Sequence, residues 1–178
     1  MKNKIASSLG LASFALLSLG GLALAQDKRA SPHETVTAAI NGKKISVTYG
    51  RPFKKGRVIF GGLEPWGKVW RTGADEATTI TLEGDAMIGP LHVIAGTYSL
   101  FTIPNEKEWM LVLNKTAKQW GAFKYEQAQD YGRAAMKVSR PSATVDQMTI
   151  AIEKKNDHEA VLKVMWDDTV ASIDVMVH

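Results

Sequence analysis

From residue 33 onward the apolar residues of this chain recur at every second position in short runs closed by turn pairs, and no stretch carries the 3.6-residue repeat of a helix. Residues 34–40 and 44–49 flank Asn41-Gly42, a pair with ready access to positive φ, which predicts a tight hairpin. Thr78, Ile80 and Leu82 alternate with Thr79 and Thr81; residues 87–93 are broken by Gly89-Pro90; Ala95-Gly96 turns into a strand over 97–103 that Pro104-Asn105 closes. Residues 109–113 follow, then Met148, Ile150 and Ile152, then 160–166 after Asn156-Asp157. In 169–177, Ala171, Ile173, Val175 and Val177 share one face and Ser172, Asp174 and Met176 the other. Short strands at this spacing predict an all-β, single-domain β-sandwich of jelly-roll character, with residues 118–133 the one place for a short helix.

The start of the chain reads differently. Lys2 and Lys4 precede an apolar stretch over 11–24, and Ala23-Leu24-Ala25 supplies the small-x-small pattern of a signal-peptidase site. We expect a cleavable signal peptide over 1–25, a flexible segment over 26–32, a domain over 33–178, and a periplasmic or secreted location. Ser13, Ser18, Gly20 and Gly21 interrupt the apolar stretch and no basic flank follows, so no membrane span is expected after cleavage. The chain has no Cys, which excludes a disulfide framework and any thiol nucleophile. Its formal net charge is +4, of which Lys2 and Lys4 supply half, too little to argue for a nucleic-acid partner.

The positive excess of the domain sits in residues 49–79, where Arg51, Lys54, Lys55, Arg57, Lys68 and Arg71 face Glu64, Asp75 and Glu76. Between 50 and 73, six glycines and two prolines forbid a long regular element, while Phe53, Ile59, Phe60, Trp66 and Trp70 carry too much apolar surface for disorder. A long ordered loop, or a few short strands joined by turns, is expected to fold over one sheet, with one of Trp66 and Trp70 buried and the other partly exposed. Loops of that length in compact domains commonly carry function.

Tyr49, Arg51-Pro52, Gly56-Arg57, Phe60-Gly61-Gly62-Leu63, Pro65, Gly67 and Trp70-Arg71-Thr72-Gly73-Ala74, followed by Glu76-Ala77-Thr78, form one block. Ala95-Gly96-Thr97-Tyr98-Ser99-Leu100-Phe101, Ile103-Pro104, Trp109, Trp120-Gly121, Tyr125, Asp130, Arg133 and Trp166 form a second. Together they resemble the DUF2911 family of exported bacterial proteins. The resemblance implies export and a single domain spanning the mature chain; the family has no established activity, so it implies no catalytic residue. Asp75 stands where that family commonly has Asn, and Trp66 where Tyr is frequent.

Arg51, Arg57 and Arg71 are forked donors suited to carboxylate, phosphate or sulfate, and equally to pinning a glycine-rich loop onto carboxylates or carbonyls. Trp70, with Trp66, offers either a stacking face for a sugar ring or a core anchor. Glu64, Asp75 and Glu76 are candidates for acid/base work, although neighbouring arginines are expected to hold them ionised. His33, His92, His158 and His178 show no metal-binding spacing, and no cofactor motif occurs, so neither a metal nor a cofactor is expected. Asp130 and Arg133 are expected to pair on a helical turn, in a cluster with Tyr98 and Tyr125. The sequence reads as an exported binding module for a small anionic or carbohydrate-like ligand, with Arg51, Arg57, Trp70 and Arg71 as ligand-binding residues. The alternatives are a carboxylate-dependent hydrolase of the cell envelope and a non-catalytic structural or envelope-interaction protein.

Overall fold

The computed structural model describes residues 29–177. The expected signal peptide over 1–25 lies outside the described residues. β1 (His33–Ile40) and β2 (Lys43–Gly50) pair antiparallel, and the turn between them has φ 49° at Asn41 and 71° at Gly42. Positive φ at both central positions gives the hairpin whose twist matches its strands, which is what Asn-Gly favours. β3 (Ala74–Leu82), β6 (Gly96–Ile103), β7 (Glu108–Asn114) and β8 (Asp130–Ser139) continue the meander, while β4 (Ala86–Ile88) and β5 (Leu91–Val93) form a side hairpin.

The chain then returns through β9 (Val145–Lys154), β10 (Glu159–Asp167) and β11 (Thr169–Val177), with β11 against β8. The strand order is β1-β2-β3-β6-β7-β8-β11-β10-β9. Three consecutive strands plus a returning neighbour make a Greek key, the unit of jelly rolls. The end strands β1 and β9 lie close together, so the sheet nearly closes into a barrel.

Alternation fills the interior. Val47, Ile80, Leu100, Leu111, Ile150 and Leu162 are buried side by side, and Ala171, Ile173, Val175 and Val177 face inward on β11 as their spacing predicts. Phe101 and Val112 pack on the opposite face with Val69, Met110 and Tyr125, so β6 and β7 are covered on both faces. Among the described residues the only helix is a 3-10 turn at Gln127–Gln129, inside the window left for one.

β8 is the strand that hydrophobic alternation does not reveal. Gly132, Ala134 and Ala135 are poor strand formers; Ala134 is buried, Ala135 is exposed, and Gly132 is crowded by a neighbour. A Cβ on Gly132 would lie 2.5 Å from Leu91 Cδ1. A register shift opposite Leu113 and Asn114 puts Tyr131 out of step, a β-bulge that turns Asp130 and Arg133 to the same side. Their ion pair at 2.9 Å is therefore made on a bulged strand and not on a helical turn. Tyr125 joins it, donating to Asp130 at 2.8 Å, whereas Tyr98 sits apart against Tyr131.

Residues 50–73 leave the sheet and return to it at one neck. Gly50 pairs with Ala74, so close that a Cβ on Gly50 would stand 2.3 Å from the Ala74 carbonyl oxygen. β1 begins opposite Gly50, and beyond that point the chain reaches β9 directly: Met148 N donates to Pro52 O at 2.9 Å and Lys54 N to Asp146 O at 2.6 Å. The loop then crosses to β6, where Trp70 and Thr102 exchange backbone hydrogen bonds at 2.8 and 3.0 Å. Midway, Phe60 meets Trp70, Trp109 and Trp166 edge-on, with centroids 5.7, 4.7 and 6.2 Å away, and Trp70 stacks on Trp166 at 18°. Trp70 is 4 % exposed and Trp66 38 %, the division the apolar content of the loop requires.

Candidate functional site

Where the loop leaves β9 and comes back to β3, it encloses a cavity of about 460 Å³ whose lining includes Phe53, Lys55, Arg57, Glu64, Arg71 and Asp75. Trp166 links it to the aromatic cluster, and Ala30 and Ser31 bring the start of the described chain to its rim. Arg57 is held by the backbone: its Nε donates to Lys54 O at 2.9 Å and its Nη2 to Phe53 O. Arg71 Nε donates to Gly73 O at 3.1 Å. The backbone behind Arg71 is fixed in turn, because Thr78 Oγ1 donates to Thr72 O at 2.7 Å and the Thr72 and Thr102 hydroxyls meet at 3.0 Å. Among the described residues, Arg57 Nη1 and both terminal nitrogens of Arg71 make no hydrogen bond.

The backbone around the cavity is strained. Five described non-glycine residues have positive φ, and only Asn41 belongs to the far hairpin. Lys55 (49°) and Asp75 (64°) line the cavity and Thr72 (55°) follows Arg71, while Asp167 (55°) opens the two-residue turn between β10 and β11 next to Trp166. Each such conformation costs roughly 1 kcal/mol or more and persists only where its surroundings hold it, and such residues gather at sites that must be pre-shaped. Asp167 is held by Lys54 and by Ile59 N at 3.4 Å.

Glu64 carries the unusual electrostatics. Burial pushes its carboxyl up from 4.5 to about 7, against the opposing pull of Arg71 and then Arg57. This corrects the expectation that neighbouring arginines hold all three carboxylates ionised. Among the described residues the Glu64 carboxylate makes no ion pair within 4.0 Å and no hydrogen bond, so desolvation outweighs attraction at longer range. Glu76 behaves as expected: burial opposes its charge, but its own backbone N–H and the Arg29 guanidinium prevail and hold the carboxyl below its ordinary value.

Of the four arginine and tryptophan residues singled out, Arg57 and Arg71 meet in the cavity. Arg51 lies elsewhere, paired with Glu34 at 2.7 Å and donating to Met148 O at 3.0 Å and Thr149 Oγ1 at 2.8 Å. With Tyr49, whose hydroxyl accepts from Ile150 N at 2.9 Å, it sews the end of β2 onto β9. Trp70 is inside the aromatic cluster and presents no face to solvent. Lys55 is the cavity residue that sequence reasoning missed. Its signal was the Lys55-Gly56 pair, a turn with both residues at positive φ that brings Lys55 into the cavity lining.

Asp75 and Glu76 also meet His33, with ligand atoms of the three within 4.8 Å of one another. Among the described residues this is the group able to hold a metal ion, but Arg29 already supplies a cation there, 2.6 Å from Glu76 Oε2 and 3.0 Å from His33 Nε2. A second cavity, about 620 Å³, lies on the outer face beside Trp120 and Phe123, which are 58 % and 83 % exposed and flanked by Lys118 and Lys124. Among the described residues no helix is long and apolar enough to cross a membrane.

Fold and site thus define a nearly closed β-sandwich with a basic cavity roofed by one glycine-rich loop. The chain belongs to the family described as protein of unknown function (DUF2911), whose model matches residues 31–175. No curated protein and no solved structure matches it.

Proposed function

We propose that the protein is a binding module for a small anionic ligand, including sugar acids, and that it works outside the cytoplasm after loss of the segment ending at Ala25. One observation carries the binding reading: Arg57 and Arg71 line one cavity beside Lys55 and keep guanidinium N–H groups that make no hydrogen bond among the described residues, although Arg71 Nη1 lies beside Gly121. Forked donors prepositioned by backbone carbonyls suit the paired oxygens of a carboxylate or phosphate, and little side-chain freedom is left to lose on binding. The strained residues around the cavity agree with a site shaped in advance.

Thermal-shift measurements on the mature protein with glucuronate, galacturonate, inorganic phosphate and neutral sugars test this reading. An anion at about a hundred times its Kd is expected to stabilise the wild type by about 2.7 kcal/mol and to lose that effect in Arg71→Ala. If no anion shifts the wild type more than the variant, the reading fails.

Glu64 favours a second reading. A carboxyl titrating near neutrality in a cavity that also holds Asp75 is suited to general acid catalysis, as in a carboxylate-dependent hydrolase of envelope polymers. Release of reducing ends from such polymers, abolished in Glu64→Gln, is the outcome this reading requires; no release by the wild type removes it.

A further inference from the structure

Glu64 is an uncompensated acid at the place where an anion is expected to bind. The charges that act on it are Arg71, from the run into β3, and Arg57, from the stretch after β2; Lys55 and Asp75 line the same cavity, Asp75 already engaged with His33 of β1 at 3.3 Å. No described partner hydrogen-bonds the Glu64 carboxylate, and the arginines nearest to it spend their Nε groups on backbone carbonyls. An oxyanion drawn in by Arg57 and Arg71 therefore brings its own oxygens up against this carboxylate. Two ionised oxygens in contact repel, whereas a carboxylic acid donates a strong hydrogen bond to an anion.

We propose that Glu64 and the bound anion share a single proton, which comes from solvent when the ligand is a fully ionised carboxylate and from the ligand itself when it is hydrogenphosphate. No covalent bond to carbon or phosphorus changes. The proton moves onto a Glu64 oxygen, or stays on the phosphate oxygen, and lies between the two groups in the complex. The raised position of the Glu64 carboxyl in the empty site supports this, because the group is already easy to protonate and an arriving anion makes it easier. The inference rests on the anion-binding reading above and adds to it a rule of selectivity. Above neutrality the site favours anions that carry a proton over those that do not.

Isothermal titration calorimetry of the mature protein, near pH 8 in buffers of different ionisation enthalpy, measures the proton directly. Glucuronate is expected to bind with uptake of close to one proton, and its affinity to fall about tenfold per pH unit above neutrality. Inorganic phosphate is expected to bind with almost none. Glu64→Gln is expected to abolish the uptake and flatten the pH dependence for glucuronate. The key reading is made on the wild type, so it does not depend on the variant folding. Glucuronate binding without proton uptake, or uptake that persists in Glu64→Gln, overturns this inference while leaving anion binding intact. Absence of binding by either anion defeats both readings together.

Discussion

Two stretches without strands are laid against the same sheet, and they use their residues in opposite ways. Residues 50–73 send Phe60 and Trp70 into the core and turn Lys55, Arg57, Glu64 and Arg71 toward a cavity in which their polar atoms are only partly satisfied. Residues 115–129 leave Trp120 and Phe123 in solvent and engage most of their polar groups in a network, Gln119 Oε1 being buried without a partner among the described residues. In that network Asn114 Nδ2 donates to Asp130 Oδ1 at 3.1 Å, Gln119 Nε2 to Thr116 O at 2.8 Å, and Arg133 Nη2 to the Tyr125 hydroxyl at 2.8 Å. The first stretch is anchored by apolar burial and keeps its charges available. The second is held by hydrogen bonds together with Tyr125 packed against Phe101, and leaves Trp120 and Phe123 available. A binding site needs the first arrangement if its ligand is ionic, because free charges are affordable only where something else holds the loop.

The contrast can be broken most forcefully at Trp70. Trp70→Ala removes a buried indole from a cluster of four rings, and is expected to destabilise the protein by about 3–5 kcal/mol in urea unfolding. A loss under about 1 kcal/mol would mean that apolar burial does not anchor the loop.

A smaller effect, with a characteristic sign, is expected at Glu64. Its folded value of about 7 lies above the ordinary 4.5, so the folded state binds the proton more tightly than the unfolded chain. The stability this contributes is complete below the ordinary value and is lost as pH rises through the folded one, on the order of 2–3 kcal/mol. Glu64→Gln, which cannot ionise, is expected to be the more stable protein near pH 8 and to lose most of the slope between about pH 5 and 8. Urea unfolding at the two pH values checks this, and equal slopes in both proteins would contradict it.

The smallest effect belongs to the other stretch. Trp120→Ala is expected to change stability by no more than about 0.5 kcal/mol, because more than half of the residue is in water. A large loss would show that the 115–129 cover depends on its exposed aromatics after all.

Strand alternation made most of the fold legible. The Asn41-Gly42 hairpin and the inward face of β11 follow from residue type and period alone. β8 did not show itself, because Gly132 answers to a neighbour, Leu91, that only the folded sheet supplies. The site was half legible for a related reason. Arginine chemistry pointed to Arg57 and Arg71 but could not separate them from Arg51, whose partners on β9 lie almost a hundred positions away. The rise at Glu64 comes from its burial, which Arg71 and Arg57 offset only in part, and both are set by loop geometry. The meeting of His33 with Asp75 comes from register across three strands, His33 opposite Gly50 and Gly50 opposite Ala74, and no spacing along the chain announces it.

The stitching of residues 49–54 onto β9 also sets an order of events. Tyr49 and Ile150 are separated by 101 positions, and the bond between them is one of several that hold the two ends of the sheet together. A chain growing from its N-terminus can form the first hairpin early, but it has nothing to fasten the end of β2 to until β9 has been synthesised. Contacts so distant in sequence are the slow ones in folding. Closure of the sheet, and with it the shape of the cavity beside Arg57, therefore depends on contacts about a hundred positions apart.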